Sequence, residues 1–487
     1  MIVPLRFALI FIVMFSPLHS GAAEFIPGLV LNYSDFSYVS SIAVGYTYVY
    51  FGTTNGVIRY NIGNKQWGDP MTGIEGLISR PVEKIQAAFD DEKVWISTDQ
   101  GAYEYSETFK RWTQTDNIPP DDSRARHMQP DPFFFAPAGY NYMPNGILMD
   151  DIGRRFPLTD IVDDNWTNLW IGTWGLGPAH ADNDNRLIEL LNFGLIQKDI
   201  TSLSFIDGFL WMGGLGGNSY RSGMTIFDRS RNSFEYVELA DGVSTRGTEI
   251  NEIFSRGSDT IFIASDNGVW LLDRKTKALR SRLTGRSGLP DDRVLSVFAY
   301  GDTLFAGTEY GLGIMNLHPD SSHSPKLLLP ELSILCLEMA GDNLWIGTDH
   351  GIYRLNLKNG KLGRLSVPQI TQTRRIFEIS NSGDKMWLAT DNELASIDLK
   401  TADIQSFPEV SNFGGIRAVA VKDTIIAAAT ISGLLLIYNG GNSFHRLFTE
   451  NDGLISEGIR DLLFDGDYLW IGTDQGLTRF WYKNPAL

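Results

Sequence analysis

The stretch Leu344 to Leu355, LWIGTDHGIYRL, reads as strand, tight turn, strand. Leu344, Trp345 and Ile346 form a short run of strand formers. Gly347 removes a side chain where another backbone must pass close, and Asp349 to Gly351 supply turn chemistry. Nearly the same words recur at Leu469 to Phe480, LWIGTDQGLTRF. A chain that repeats a hairpin every forty or so residues predicts a β-propeller.

The Thr that ends each first strand of this hairpin serves as a marker. Thr53, Thr98, Thr173, Thr308, Thr348, Thr390, Thr430 and Thr473 fall into register, with Gly214 and Ser265 in the same slot of two more copies. The gap between Thr98 and Thr173 is nearly double the rest. Aligning Asn117 to Asp151 with GLPDDRVLSVFAYGDTLFAGTEYGLGIMNL (Gly288 to Leu317) puts Pro137 in the marker slot and splits that gap evenly. Eleven copies result. The residue before the marker is small in all of them: Gly52, Ser97, Ala136, Gly172, Gly213, Ala264, Gly307, Gly347, Ala389, Ala429 and Gly472. Three places before it stand Tyr50, Trp95, Phe134, Trp170, Trp211, Phe262, Phe305, Trp345, Trp387 and Trp470, with Ala427 the one departure. One bulky ring beside one small residue suits face-to-face packing of neighbouring sheets, where the ring of one sheet fills the space the other leaves. The rings are therefore expected to be core.

Each copy is expected to hold four strands, as in the eighth: Leu332 to Leu337, Asn343 to Gly347, Ile352 to Leu357 and Lys361 to Ser366. The eleventh lacks its outer strand, and Leu29 to Tyr33 is a candidate to supply it from the other end of the chain. The fold expected is all-β, a β-propeller of four-stranded blades with about eleven repeats. Eleven blades in one circle would leave a wide central hole, so two packed propellers are preferred to one large ring. The long spacing from Gly214 to Ser265 and the charged connection Asp228 to Glu238 suggest blades 1 to 5 over residues 24–240 and blades 6 to 11 over 241–487.

Residues 1–23 carry one charge, Arg6, then the apolar run Phe7 to Phe15, then Pro17, Ser20, Gly21, Ala22 and Ala23. This reads as a secretory signal peptide cut after Ala23, because the apolar run is shorter than the roughly 20 residues a membrane span needs. The expected location is periplasmic or secreted, with no integral span after cleavage. A single cysteine, Cys336, excludes an intrachain disulfide and reads as a small core residue. The formal net charge of -17 disfavours a nucleic acid or an anionic membrane as partner.

The consensus LWIGT-D-x-G, followed by a strand such as IYRLNLKNGKLGRL and preceded by GLP-D-D-x-V or GLIS-x-x-I, resembles the two-component regulator propeller repeat. The likeness is strongest at Gly288 to Leu317, Glu331 to Leu355 and Gly453 to Phe480. It implies the periplasmic sensor part of bacterial hybrid two-component systems, many of which recognise carbohydrate. The sensors carry an immunoglobulin-like domain, a membrane helix and a kinase after the propellers, whereas this sequence ends at Leu487; a stand-alone binding or assembly protein is expected instead.

A ligand site is expected where turns lengthen. The third copy runs Ala138 to Gly146 (AGYNYMPNG) and the fifth Leu215 to Gly223 (LGGNSYRSG), flanking the fourth, whose turn Trp174 to Gly177 carries an extra ring. Together they would present Tyr140, Tyr142, Trp174, Asn218, Tyr220 and Arg221 around a cleft suited to a sugar or an extended peptide. The turn acids Asp99, Asp266, Glu309, Asp349, Asp391 and Asp474 read as turn chemistry, each bonding the backbone two residues on. The run His180, Asp182, Asp184 reads as an outer hairpin turn rather than a metal site. No cofactor and no catalytic residue is assigned. The expected function is a non-catalytic module binding a glycan or protein partner in the bacterial envelope. A carbohydrate-active enzyme (polysaccharide lyase or hydrolase) and a scaffold in an envelope assembly or accessory to a two-component sensor are the alternatives.

Overall fold

The computed structural model describes residues 29–484 except 74–80, 121–124, 130–132, 217–220, 240–247, 256, 258, 319–323, 366–374 and 439–443. The proposed leader and its cut at Ala23 lie outside the described residues. The fold is an all-β propeller, and the described residues form nine four-stranded antiparallel sheets and one sheet of seven strands. In the eighth copy the strands are Ile334–Ala340, Asn343–Thr348, Gly351–Asn356 and Leu362–Arg364.

The marker hydroxyl explains the hairpin. Thr348 Oγ1 accepts from His350 N at 3.0 Å and donates to Gly351 O at 2.8 Å, turning the chain through its own side chain. Thr53, Thr98, Ser265, Thr308, Thr430 and Thr473 make the same two bonds. Gly351 follows at φ 105°, where a Cβ would be strained. The turn acids behave differently from expectation at three positions. Asp266 and Asp349 accept from Glu249 N and Ser333 N, and Asp474 accepts from the Ser456 hydroxyl, so they hold the segment entering the innermost strand.

The rings are core, as expected. Trp470 is 1% exposed, Trp211 and Trp345 are buried, and half-buried Trp95 donates its Nε1 to Glu104. The buried ones fill space against the next sheet's aliphatics, Trp211 against Ile250 and Ile253, Trp345 against Ile376 and Ile379. The small residue beside it has another cause. A Cβ on Gly213 would lie 2.4 Å from Ile250 Cγ2, and one on Gly307 2.7 Å from Ile334 Cγ2. What the glycine admits is the β-branched residue that opens the next innermost strand.

These contacts reveal which sheets are neighbours. The innermost strands Ile200–Ile206, Ile250–Phe254, Val294–Tyr300, Ile334–Ala340, Ile376–Ser382, Ile416–Lys422 and Ile459–Asp465 lie side by side in that order, and the last lies against the first. Copies five to eleven thus form a closed circle of seven sheets. Val30–Tyr33 pairs antiparallel with Leu477–Phe480 as the fourth strand of the eleventh sheet. The boundary expected at residue 240 falls inside this circle, between the fifth and sixth sheets, because Ile250 nests over Gly213 there.

In the remaining group, the innermost strand Val39–Val44 lies between Lys84–Ala87 and Arg155–Asp163. The third copy does not build a sheet of its own. Its strands Arg126–Met128, Tyr140–Met143 and Ile147–Asp150 join those of the fourth around Arg155–Asp163. The two groups share one core: Phe36, Trp170, Phe193, Phe227 and Trp470 belong to a single cluster, and Trp67 stacks on Phe193 with centroids 4.6 Å apart.

Candidate functional site

The structure brings together some of the residues picked from the lengthened turns and engages them differently. Residues 138–146 are not one long turn: Tyr140–Met143 is a strand paired with Ile147–Asp150. Its rings pack inward, Tyr140 against Phe156 at 6.1 Å and Tyr142 against Phe134 at 5.8 Å. Arg221 is 8% exposed, with its guanidinium over the Tyr236 ring and its Nε donating to Glu238 Oε1 at 2.8 Å. The other Glu238 oxygen meets Arg154 Nη2 at 2.8 Å, and Arg154 Nε meets Asp150 Oδ2 at 2.5 Å. A buried guanidinium needs carboxylate acceptors, so Arg221 is held in the junction between the fifth sheet and the seven-stranded sheet. Tyr140 borders this network. Burial pushes its hydroxyl pKa up, and the charges of Arg221, Glu238, Arg154 and Asp150 all act on it. Trp174 alone among the described members of the expected set stands in solvent, 44% exposed, edge-on to Tyr38 at 5.2 Å. Asn218 and Tyr220 lie outside the described residues.

Asp182 and Asp184 sit as expected at a hairpin end, where Asp182 Oδ1 accepts from Asp184 N at 2.8 Å, whereas His180 lies within the strand Pro178–Asp182, paired with Trp170 and Glu189. His180 Nε2 faces Asn168 Oδ1 at 2.9 Å.

A second constellation lies on the axis of the seven-sheet circle. Each innermost strand there carries a register shift after its β-branched first residue, which turns the third residue inward: Ser202, Glu252, Ser296, Cys336, Glu378, Ala418 and Asp461. Five of them, Ser202, Glu252, Cys336, Glu378 and Asp461, border a cavity of about 220 Å³ that Glu338 and Arg417 also line. Three carboxylates staple neighbouring strands. Glu252 accepts from Val297 N at 2.7 Å, Glu378 from Val419 N at 2.7 Å, and Asp461 from Leu203 N at 2.6 Å. Ser202 does the same for Ile253 N at 3.0 Å. In the other group Asp160 accepts from Ile42 N at 2.9 Å.

Burial outweighs these donors in setting the acidity. It pushes Asp461 up to about 6 and Glu252 up to about 8. Glu378 is raised well above the carboxylate range by burial and then by the charge of Asp461. Cys336 packs against the core cluster of Trp345 and Ile376, as expected, and also lines the channel, its thiol likewise raised by burial. At the mouth Arg460 approaches Asp199 at 3.3 Å. The signal for this lining stands in the sequence as an aliphatic, any residue, an inward residue and an aliphatic: Ile200-Thr-Ser-Leu, Ile250-Asn-Glu-Ile, Ile376-Phe-Glu-Ile, Ile459-Arg-Asp-Leu. The hairpin repeat next to it drew the reading away.

No family model matches the chain, and no curated protein matches it. Among solved structures it is similar to the extracellular domain of BT4673 from B. thetaiotaomicron, a protein assigned to the hybrid two-component systems. The identity is 14% over 92% of this chain and 70% of that one, with a TM-score of 0.49. It is similar to PorZ, a surface component of the type-IX secretion system of Porphyromonas gingivalis, at 14% identity over 92% and 69% of the two chains and a TM-score of 0.48. It is also similar to virginiamycin B lyase of Staphylococcus aureus, at 11% identity over 58% of this chain and 94% of that one, with a TM-score of 0.46.

Proposed function

We propose that the chain is an exported, non-catalytic propeller that binds a glycan or a protein partner in the bacterial envelope. One observation carries this reading. Three carboxylates in the channel, Glu252, Glu378 and Asp461, each spend an oxygen on the backbone N–H of the neighbouring strand. They act as fasteners between sheets, and rings such as Trp174 are what the surface offers to a partner. The leader read over residues 1–23 supports export. Glycan and peptide arrays probed with the mature chain, followed by product analysis of whatever is retained, test the proposal. Retention without turnover is expected, and turnover of a retained glycan overturns the non-catalytic part.

A carbohydrate-active enzyme is the second reading. It is favoured by Asp461 and Glu252, whose acidities of about 6 and about 8 suit proton transfer near neutrality. Product formation abolished by Asp461→Asn, in a variant that still folds, would establish it.

A further inference from the structure

The turn that joins the innermost strand to its neighbour differs between the two groups of sheets. In the seven-sheet circle it is two small or polar residues in six sheets: Asp207-Gly208, Gly301-Asp302, Gly341-Asp342, Gly383-Asp384, Asp423-Thr424 and Gly466-Asp467. In the first, second and fourth copies it is longer and carries a ring: Gly45-Tyr46-Thr47, Ala88-Phe89-Asp90-Asp91-Glu92 and Asp164-Asn165-Trp166-Thr167. Their innermost strands are neighbours, so three distant segments deliver three rings to one place. Tyr46 lies 5.7 Å from Phe89 and 6.4 Å from Trp166, at 65° and 89°. Tyr46 is 61% exposed and Trp166 56%. Leaving two large rings in water forgoes the gain of burying them, in turns that the seven-sheet circle makes from small or polar residues.

The backbone beneath the rings is pinned. Tyr46 N donates to Phe89 O at 2.8 Å, and Thr47 N to Asp91 Oδ2 at 2.6 Å. Buried Asp164 accepts from Trp166 N at 2.8 Å, from Asn168 N at 3.1 Å and from Asn168 Nδ2 at 2.6 Å. The rings are thus presented before any partner arrives, which lowers the ordering cost of binding. Steep interplanar angles keep the rings from stacking on one another. The exposed neighbours on the same turns are Asp90, Glu92, Asn165 and Thr167, two carboxylates, an amide and a hydroxyl.

We propose that Tyr46, Phe89 and Trp166 form a platform for a neutral glycan. It rests on the binding reading above and gives that reading a surface and a substrate class. The apolar face of one sugar unit packs on Tyr46 and that of a neighbouring unit on Trp166, whose plane stands at 89° to it, while their hydroxyls meet the side chains of Asp90 and Asn165. The acidic rim repels phosphorylated or uronate-rich polymers, and so favours an uncharged chain.

Affinity electrophoresis of the mature chain through gels containing galactomannan, xyloglucan, glycogen or a β-1,3-glucan tests the platform, with Tyr46→Ala, Trp166→Ala and the double variant run beside it. Retardation of the wild type by at least one polymer is expected, weakened roughly tenfold by each variant and abolished in the double variant, with unchanged melting. Trp166→Phe should keep most of the retardation while losing the ligand-induced change in tryptophan fluorescence. Retardation that the double variant retains overturns the platform and leaves the binding reading intact. A wild type that none of the four polymers retards, or one that binds a protein through this patch instead, overturns the neutral-glycan assignment.

Discussion

A methyl placed on Gly472 would lie 2.9 Å from Cγ2 of Ile200, and these two residues, far apart in the chain, close the circle of seven sheets. The same joint is bonded through Asp461, which accepts from Leu203 N. Each sheet offers a small residue, and the next sheet fills the space with a branched aliphatic.

Filling that space from the wrong side should therefore loosen the ring. Gly213→Ala and Gly472→Ala each put a Cβ within 3 Å of an isoleucine side chain and are expected to cost about 1 to 3 kcal/mol. Gly363→Ala, on an outer strand with nothing within 4 Å, should change stability by less than about 0.5 kcal/mol. Denaturant titration of the three variants checks the contrast, and equal effects would remove this account of the small residues.

The marker hydroxyl should matter for its bonds and not its bulk. Thr348→Val keeps the volume but leaves His350 N without the hydroxyl acceptor and Gly351 O without the hydroxyl donor. A loss of about 1 to 3 kcal/mol is expected, and Thr348→Ser should recover most of it.

The junction network gives a third expectation. Glu238 accepts from both Arg221 and Arg154. Glu238→Ala withdraws that acceptor from two guanidiniums, one of them almost fully buried, and should cost about 2 to 4 kcal/mol. Because the site is shielded from solvent, the loss should change little between low and high salt in thermal melts.

The channel carboxylates predict a pH dependence. Their folded pKa values lie above the ordinary values of 3.8 for Asp and 4.5 for Glu, so the folded state holds the proton more tightly than the unfolded chain. The stability they contribute is full below those ordinary values and is lost as pH rises through about 6 for Asp461 and about 8 for Glu252. Glu252→Gln keeps an acceptor for Val297 N without the charge. Relative to wild type it should gain about 1 to 2 kcal/mol at pH 8.5 and nothing near pH 4, measured by chemical denaturation at each pH.

Much of this fold was legible in the sequence because its signals are local. Strand, Thr-x-x-Gly turn and strand occupy a dozen consecutive residues, and in the seven-sheet circle rings such as Trp211 and Trp345 three places before the marker face the next sheet. The third copy misled for the same reason: Phe134 and Pro137 fit the spacing, yet the segment after them pairs with Arg155–Asp163 and joins another sheet. The candidate site was less legible. Tyr140 and Arg221 do come near one another, but only the folded chain reveals that Glu238, shared with Arg154, already holds the guanidinium. Tyr46, Phe89 and Trp166 sit on three short turns, and no spacing announces that they converge.

By itself the sequence determined that this chain is a run of β hairpin modules with buried rings and hydroxyl-closed turns, because each module is specified by residues within a few positions of one another. Tertiary structure alone decided that seven sheets close on themselves and that the rest pack beside them. Closure depends on whether Ile200 finds the hollow over Gly472, a fit between surfaces that local periodicity does not encode.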